Sequence, residues 1–281
     1  MDYKEQENRL LKDLKQRGLL DALREHNAVI AGGAIISAFT HRGINDYDVY
    51  CKTEKDCEGL KDSLRDLAFI NKVTTQNAYT MVSNYEVSAS SGGPDKQITI
   101  QIIKNKDFLQ ADIMSVFAYF DFYCCMGAYD VKEGKFVLHN RFLTDNLEKR
   151  LVFNPGTKYP ICSLYRVLKY QKKGYTFSGV EAIKIALTIN ALDIKTYKDL
   201  KEQLQGIDTL FLRSLTDHLK KKANKKEKYN AKEFLKFFDE YTLDGLSEEV
   251  ADKYLGAKEP VDLGDEDTEE STGDSLSDLL Y

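Results

Sequence analysis

The sequence predicts an α+β protein: a mixed-sheet head with helices on one side, ending near residue 150, followed by an all-helical domain. Three observations carry this. Before residue 140, short apolar runs are broken by a glycine pair and by polar, turn-like stretches. Ile98, Ile100 and Ile102 alternate with polar residues, the signature of a half-buried strand. Beyond about residue 141 the apolar residues recur only at helical spacing.

Element by element, Leu10, Leu11, Leu14, Leu19, Leu20 and Leu23 mark a helical segment over 3–26 that Gly18 divides in two. Ala28-Val29-Ile30-Ala31 is a buried strand closed by Gly32-Gly33, residues 34–39 a helix, and residues 46–50 a second strand. Leu60, Leu64 and Leu67 place a helix over 54–67. Strands are expected over 78–87 and 97–103, flanking a polar hairpin-like loop at 88–95. The aromatic stretch 112–123 holds a strand through Tyr119-Phe120-Asp121-Phe122, and residues 136–139 form a short strand or turn. Leu164, Leu168 and Tyr175, then 182–192, 197–204 and 234–241, mark the helices of a bundle. The expected organisation is an N-terminal helical segment 1–27, a head 28–150, a helical neck and body 151–257, and an acidic tail 258–281.

The charge is unevenly spread. The net charge is −5, but residues 258–281 carry nine acids against Lys258, whereas 151–257 carry nineteen Lys and Arg against fourteen acids. A tail this polar and this acidic cannot bury enough apolar surface to order itself, so it reads as disordered on its own, a solubilising tail or a dock for a protein partner. Cys51, Cys57, Cys124, Cys125 and Cys162 form no CxxC pair, and their odd number fits reduced core thiols rather than a disulfide frame. His26, His41, His139 and His218 show no zinc-ligand spacing with them. The N-terminus is charged throughout, and no segment approaches the ~20 apolar residues that span a bilayer. The expectation is a cytoplasmic protein without a membrane partner.

The chemistry concentrates in Gly32-Gly33 and, with twelve residues between, Asp46-Tyr47-Asp48. A glycine pair at a strand–helix junction lets backbone approach a triphosphate closely. Aspartates at alternate positions of a strand point to one face, where they can hold Mg²⁺. Nucleotidyl transfer asks for two such ions to clamp the attacking and leaving oxygens, and therefore for a third carboxylate. Asp121, set in an apolar aromatic run, is the candidate, because burying an unpaired carboxylate is costly.

This order of Gly-Gly, Asp-x-Asp and an isolated aspartate resembles the nucleotidyltransferase superfamily, which is DNA polymerase β-like. It is closest to the poly(A) polymerase and CCA-adding tRNA nucleotidyltransferase branch. Asp145 to Arg150 resembles that branch's Asp-x₄-Arg motif, and Tyr165-Arg166 to Gly174-Tyr175 resembles its entry into the neck. The resemblance covers about residues 28–180. It implies a polymerase β-like head, triphosphate contacts by Gly32 and Gly33, and two Mg²⁺ held by Asp46, Asp48 and Asp121. It also implies nucleotide contacts by Arg150, Arg166 and Lys169, and transfer of a nucleoside monophosphate from an NTP to a hydroxyl, first of all an RNA 3′ end. Two departures stand out: Ile36-Ser37 occupies the place of the Arg-Asp of CCA-adding enzymes, and 163–169 lacks the base-reading Glu/Asp-x-x-Arg pattern. The alternatives are a protein or small-molecule acceptor, as in toxin-type transferases, and a non-catalytic interaction module.

Other features have plainer readings. Lys220, Lys221, Lys222, Lys225, Lys226 and Lys228 form either a solvated helix end or a binding surface for nucleic-acid phosphates. His41 and Arg42 read as solvated loop residues, and Tyr119, Phe120, Phe122 and Tyr123 as core rather than as a stacking platform.

Overall fold

The computed structural model describes residues 2–74, 78–83, 98–104, 106, 108–109, 112–204 and 213–236. The chain forms two compact units, Met1–Tyr229 and Asn230–Tyr281. The expected boundary at 150/151 falls inside the first. In the second unit residues 231–236 are helical; the rest of the expected helix 234–241, the acidic tail 258–281 and the loop 88–95 lie outside the described residues.

Helices α1 (Lys4–Gln16) and α2 (Leu20–Glu25) are separated at Gly18, whose φ of +69° is the left-handed turn that glycine adopts at little cost. There follow β1 (Val29–Ala31), α3 (Gly33–Phe39), β2 (Asp46–Tyr50) and α4 (Glu54–Asp66). The Thr53 side chain starts α4 by accepting the Asp56 N–H at 3.0 Å. Strands β3 (Phe69–Thr74), β4 (Ala78–Ser83) and β5 (Thr99–Ile103) precede the short α5 (Ile113–Phe117), then β6 (Gly127–Asp130) and β7 (Lys135–Leu138). The seven strands make one mixed sheet in the order β3-β4-β5-β2-β1-β6-β7. Within it β2 and β5 run parallel, while β1 is antiparallel to both β2 and β6.

The sheet has unlike faces because each strand alternates. Ile30, Tyr47, Val49, Ile100 and Ile102 pack in one core with Leu10 and Leu14 of α1, Leu23 of α2, Ile35 of α3, and Leu60 and Leu64 of α4. Each such side chain taken out of water contributes roughly 1.5–3 kcal/mol. On the opposite face Val29, Ala31 and Ala128 pack with Phe117 of α5 and Met126, and this face carries Asp46, Asp48 and Tyr50. Four helices therefore cover one side, as expected, and α5 lies against the other.

Two expectations change. Residues 119–122 form no strand: the chain leaves α5 through a bend at Asp121 into a 3₁₀ turn, Tyr123–Cys125, and the strand comes next, as β6. Beyond α6 (Phe142–Leu147) the chain is not wholly helical. Gly174, at φ +84°, turns it back after α7 (Pro160–Gln171), so that β9 (Thr176–Phe177) pairs in parallel with β8 (Arg150–Leu151). Helices α8 (Gly179–Asn190) and α9 (Tyr197–Gln203) follow as expected, and α10 (Arg213–Asn224) is a helix that the apolar spacing had not marked. All five cysteines are buried free thiols. Among the described residues no helix is long and apolar enough to cross a membrane.

Candidate active site

The site begins where β1 runs into α3. Gly32 has φ +75° and ψ −127°, a conformation essentially reserved for glycine, and its N–H is tied to the Gly127 carbonyl at 3.0 Å. A Cβ on Gly32 would lie 3.6 Å from Asp48 Oδ2, so the glycine turn and the carboxylate are neighbours. A Cβ on Gly33 would meet nothing within 4 Å. Gly32→Ala is expected to cost about 1–3 kcal/mol through backbone strain, read as a lower melting temperature. Gly33→Ala should cost less than 1 kcal/mol.

Asp46 and Asp48 stand on the open face of β2, as their spacing required. Asp48 is half-buried, and its carboxyl is pushed up to about 6 by desolvation and by the charge of Asp46, while Arg166 and Lys169 oppose the shift. The strand neighbours offer no third carboxylate: Thr99 pairs with Asp46 and Gln101 with Asp48 on β5, and Ala31 with Asp48 on β1. Among the described residues no three His, Cys, Asp or Glu side chains gather as a metal-binding group. Asp121, the expected third ligand, instead faces a cation. Its buried carboxylate accepts from Arg166 Nη1 at 2.8 Å. The guanidinium is held well above its ordinary value, first by the charge of Asp121. The sequence argument that Asp121 needs a positive partner is met, and the partner is an arginine.

Helix α7 lays a row of cations across this face. The charges of Arg166 and Lys169 reach Asp48, and that of Lys173, just beyond the helix, reaches Asp46. Arg166 and Lys169, three apart, share one face of α7, and Lys173 follows just past its C-terminal end. Sequence reasoning missed Lys173, Arg42 and Lys149. Arg42 is no isolated loop residue: its Nη2 donates to the Lys173 carbonyl at 2.9 Å, and its own carbonyl accepts from Arg9 at 2.9 Å. The Lys173 ammonium is shifted below its ordinary value by desolvation and by Lys169 and Arg42; that of Lys149 is shifted likewise by burial, Arg42 and Lys173. A crowd of like charges beside two aspartates is suited to a polyanion. The signal was there in Lys172-Lys173-Gly174, but nothing local aimed it at β2.

The remaining candidates separate. Arg150, on β8, pairs with Glu148, and Asp145 pairs with Arg141 at 3.0 Å, so the Asp-x₄-Arg spacing is no ion pair. The lysine cluster occupies the end of α10 and the turn after it. There Lys222 is engaged by Glu227 at 2.8 Å and lies over the Tyr197 ring, while Lys220, Lys221, Lys225, Lys226 and Lys228 are exposed.

The model of a family described as Gabija anti-defense 2 family protein matches residues 2–149. A curated relative, Gabija anti-defense 2 of Bacillus phage SPbetaL7, is 34% identical over 275 residues, covering 98% of this chain and 61% of that protein. The chain thus spans less than two thirds of the relative's length. Solved structures similar to it include a Thermotoga maritima CCA-adding enzyme complexed with tRNA, with TM-score 0.47, 14% identity, and coverage of 74% of this chain and 51% of that one. Another is a tRNA nucleotidyltransferase complexed with a primer tRNA and an incoming ATP analogue, with TM-score 0.43, 14% identity and coverage of 80% and 69%. A third is a CCA-adding enzyme with ATP, with TM-score 0.46, 12% identity and coverage of 78% and 51%.

Proposed function

The chain belongs to the Gabija anti-defense 2 family, and on that premise we propose that it counters a defence system as a metal-dependent nucleotidyltransferase, moving a nucleoside monophosphate from an NTP to a hydroxyl. The observation that carries this is the arrangement on one sheet face: two aspartates, a glycine turn beside them, and a row of cations across from them. The donor set suits a hard divalent ion, because Asp48 is strained by the charge of Asp46 and a cation between them relieves it. Asp46 and Asp48 would hold Mg²⁺, with water and phosphate oxygens filling the rest of the shell. When bound, the metal neutralises charge at the transferring phosphoryl group and lowers the pKa of the attacking hydroxyl.

The chain's own groups do the positioning. Gly32 and Gly33 leave room for the triphosphate, and Lys169 and Lys173 offset its charge. Arg166, paired with Asp121, keeps its charge within reach of Asp48. Arg150 and the lysine cluster at 220–228 are left for contacts farther along an acceptor. The first acceptor class is an RNA 3′ end. A second is favoured by the family's anti-defence name, namely a protein of the defence system itself.

Incubation with each labelled NTP and Mg²⁺, first with RNA and then with the defence proteins, separates these readings by which species takes the label. Absence of any Mg²⁺-dependent NTP binding or transfer would favour a non-catalytic interaction module and overturn the enzyme reading. Metal binding carries its own pH signature. Because Asp48 takes up a proton as pH falls through about 6, Mg²⁺ affinity measured by calorimetry should decline below that pH, by about tenfold per unit in the limit.

A further inference from the structure

A pair of divalent ions in a phosphoryl-transfer site asks for a third carboxylate beside the two on β2. The charges of Asp48, Arg166 and Asp121 all reach the Tyr50 hydroxyl, so Asp121 is the acid placed to serve. It is not free to do so. Its side chain is 5% exposed, and Oδ2 accepts from Arg166 Nη1 at 2.8 Å. The bend that carries it is itself pinned. The Asp121 carbonyl accepts the Asn154 N–H at 2.8 Å, and Asn154 Nδ2 donates to the Ala118 and Phe120 carbonyls at 2.8 Å each.

Arg166 is bound at one corner. The bond to Asp121 is its single hydrogen bond among the described residues, and 35% of its side chain meets solvent. The other donors of the fork are open, and the guanidinium is planar, permanently charged and already oriented. Its charge reaches Asp48. Around the carboxylates Asp46, Asp48 and Asp121 stand the cations Arg42, Lys149, Arg166, Lys169 and Lys173, each within reach of one of the acids or of another cation of the group. The cations exceed the acids by two charges, the charge that a second divalent ion would bring.

We propose that this site takes one divalent ion, on Asp46 and Asp48, and that the Arg166 guanidinium serves at Asp121 in place of a second. The inference rests on the nucleotidyltransferase reading and reduces its expected two Mg²⁺ to one. The donor set fits the first ion and does not fit another: a dication at Asp121 would have to evict the guanidinium from a buried carboxylate and then sit beside it. An arginine there performs the electrostatic part of the missing ion's role, offsetting charge on the transferring phosphoryl group through its open donors. Asp121 has already fixed its orientation, so little ordering remains when nucleotide binds.

The test counts ions on the full chain by electron paramagnetic resonance of Mn²⁺, with a non-hydrolysable analogue of each NTP equimolar to the chain. One Mn²⁺ per chain with the spectrum of an isolated ion is expected. Two ions ~3.5–4 Å apart would give a spin-coupled spectrum and overturn the proposal, leaving the nucleotidyltransferase reading intact. No bound Mn²⁺ overturns that reading instead. Asp121→Asn should still bind one ion; a variant that binds none would show Asp121 to be a ligand and overturn the proposal. Arg166→Met should acquire a second, spin-coupled ion on the freed Asp121, and Mn²⁺ should raise its melting temperature more than that of the wild type. Arg166→Lys, which keeps the charge, should stay at one. A folded Arg166→Met that stays at one ion overturns the proposal; should that variant fail to fold, the Asp121→Asn count decides.

Discussion

Replacing Asp48 with Ala should abolish nucleotidyl transfer and leave the protein at least as stable as the wild type. The first effect follows from losing one of the two carboxylates on the open face of β2. Metal-borne charge stabilisation is worth several kcal/mol, so the rate should fall at least ~10³-fold. Asp46→Ala should do the same. The second effect follows from the raised carboxyl of Asp48, ordinarily near 3.8 and here about 6. A carboxylate raised on folding opposes folding once the unfolded group has ionised, and fully so above pH 6. Asp48→Asn should therefore gain on the order of 1–3 kcal/mol at neutral pH, with the gain vanishing as pH falls below the ordinary carboxylate range. Activity lost with stability gained is the mark of a group kept for chemistry. Thermal melts at pH 4 and pH 7.5 beside the transfer assay read both; unchanged turnover in the Asp46/Asp48 double variant would sink the assignment.

Arg166→Met should behave in the opposite way, losing stability together with activity. The change leaves the Asp121 carboxylate buried opposite no charge. Removing one member of a buried pair costs 3–5 kcal/mol, and the expected loss is about 3 kcal/mol because 35% of the Arg166 side chain keeps its water. Asp121→Asn alone should cost less, since the stranded arginine can turn to solvent. Combining it with Arg166→Met should recover most of the stability lost by Arg166→Met and none of the activity. A single Arg166→Met protein that melts with the wild type would show that the pair does not hold α7 in place.

Much of the site was legible because its signals are short and local. A glycine pair after Val29-Ile30-Ala31 and aspartates two apart need no knowledge of the rest of the chain. The misses arise where pairing is distant or composition misleads. Tyr119 to Tyr123 have strong β preference, yet they form a bend and a 3₁₀ turn, while the neighbouring strand is the unassuming Gly127-Ala128-Tyr129-Asp130. That strand is small-residued because both its faces are covered, and a Cβ on Gly127 would lie 2.5 Å from the Phe142 ring. Strand β3 escaped notice because its pairing slips between Asn71 and Val73, which blurs alternation. Arg42 looked like solvated charge, and Lys149 and Lys173 lay unremarked within the 145–150 and 165–175 stretches. Only the return of α7 across the sheet, and the tie from Arg42 to the Lys173 carbonyl, turns them toward β2.

The sheet order sets when these residues can begin to act. Asp46 and Asp48 belong to a strand whose parallel partner, β5, comes only after two intervening strands, and the edge beyond β1 waits for Asp130 to meet Val29. Such pairings across long sequence intervals form slowly, because loop closure must precede the contacts that reward it. During synthesis the chain emerges N-terminus first, so β2 exists well before either flank is sealed and before α7 arrives to oppose its charge. The two acids are thus exposed to solvent early and become a confined pair late, and the charge of Lys173 reaches Asp46 only once the chain has grown past that residue.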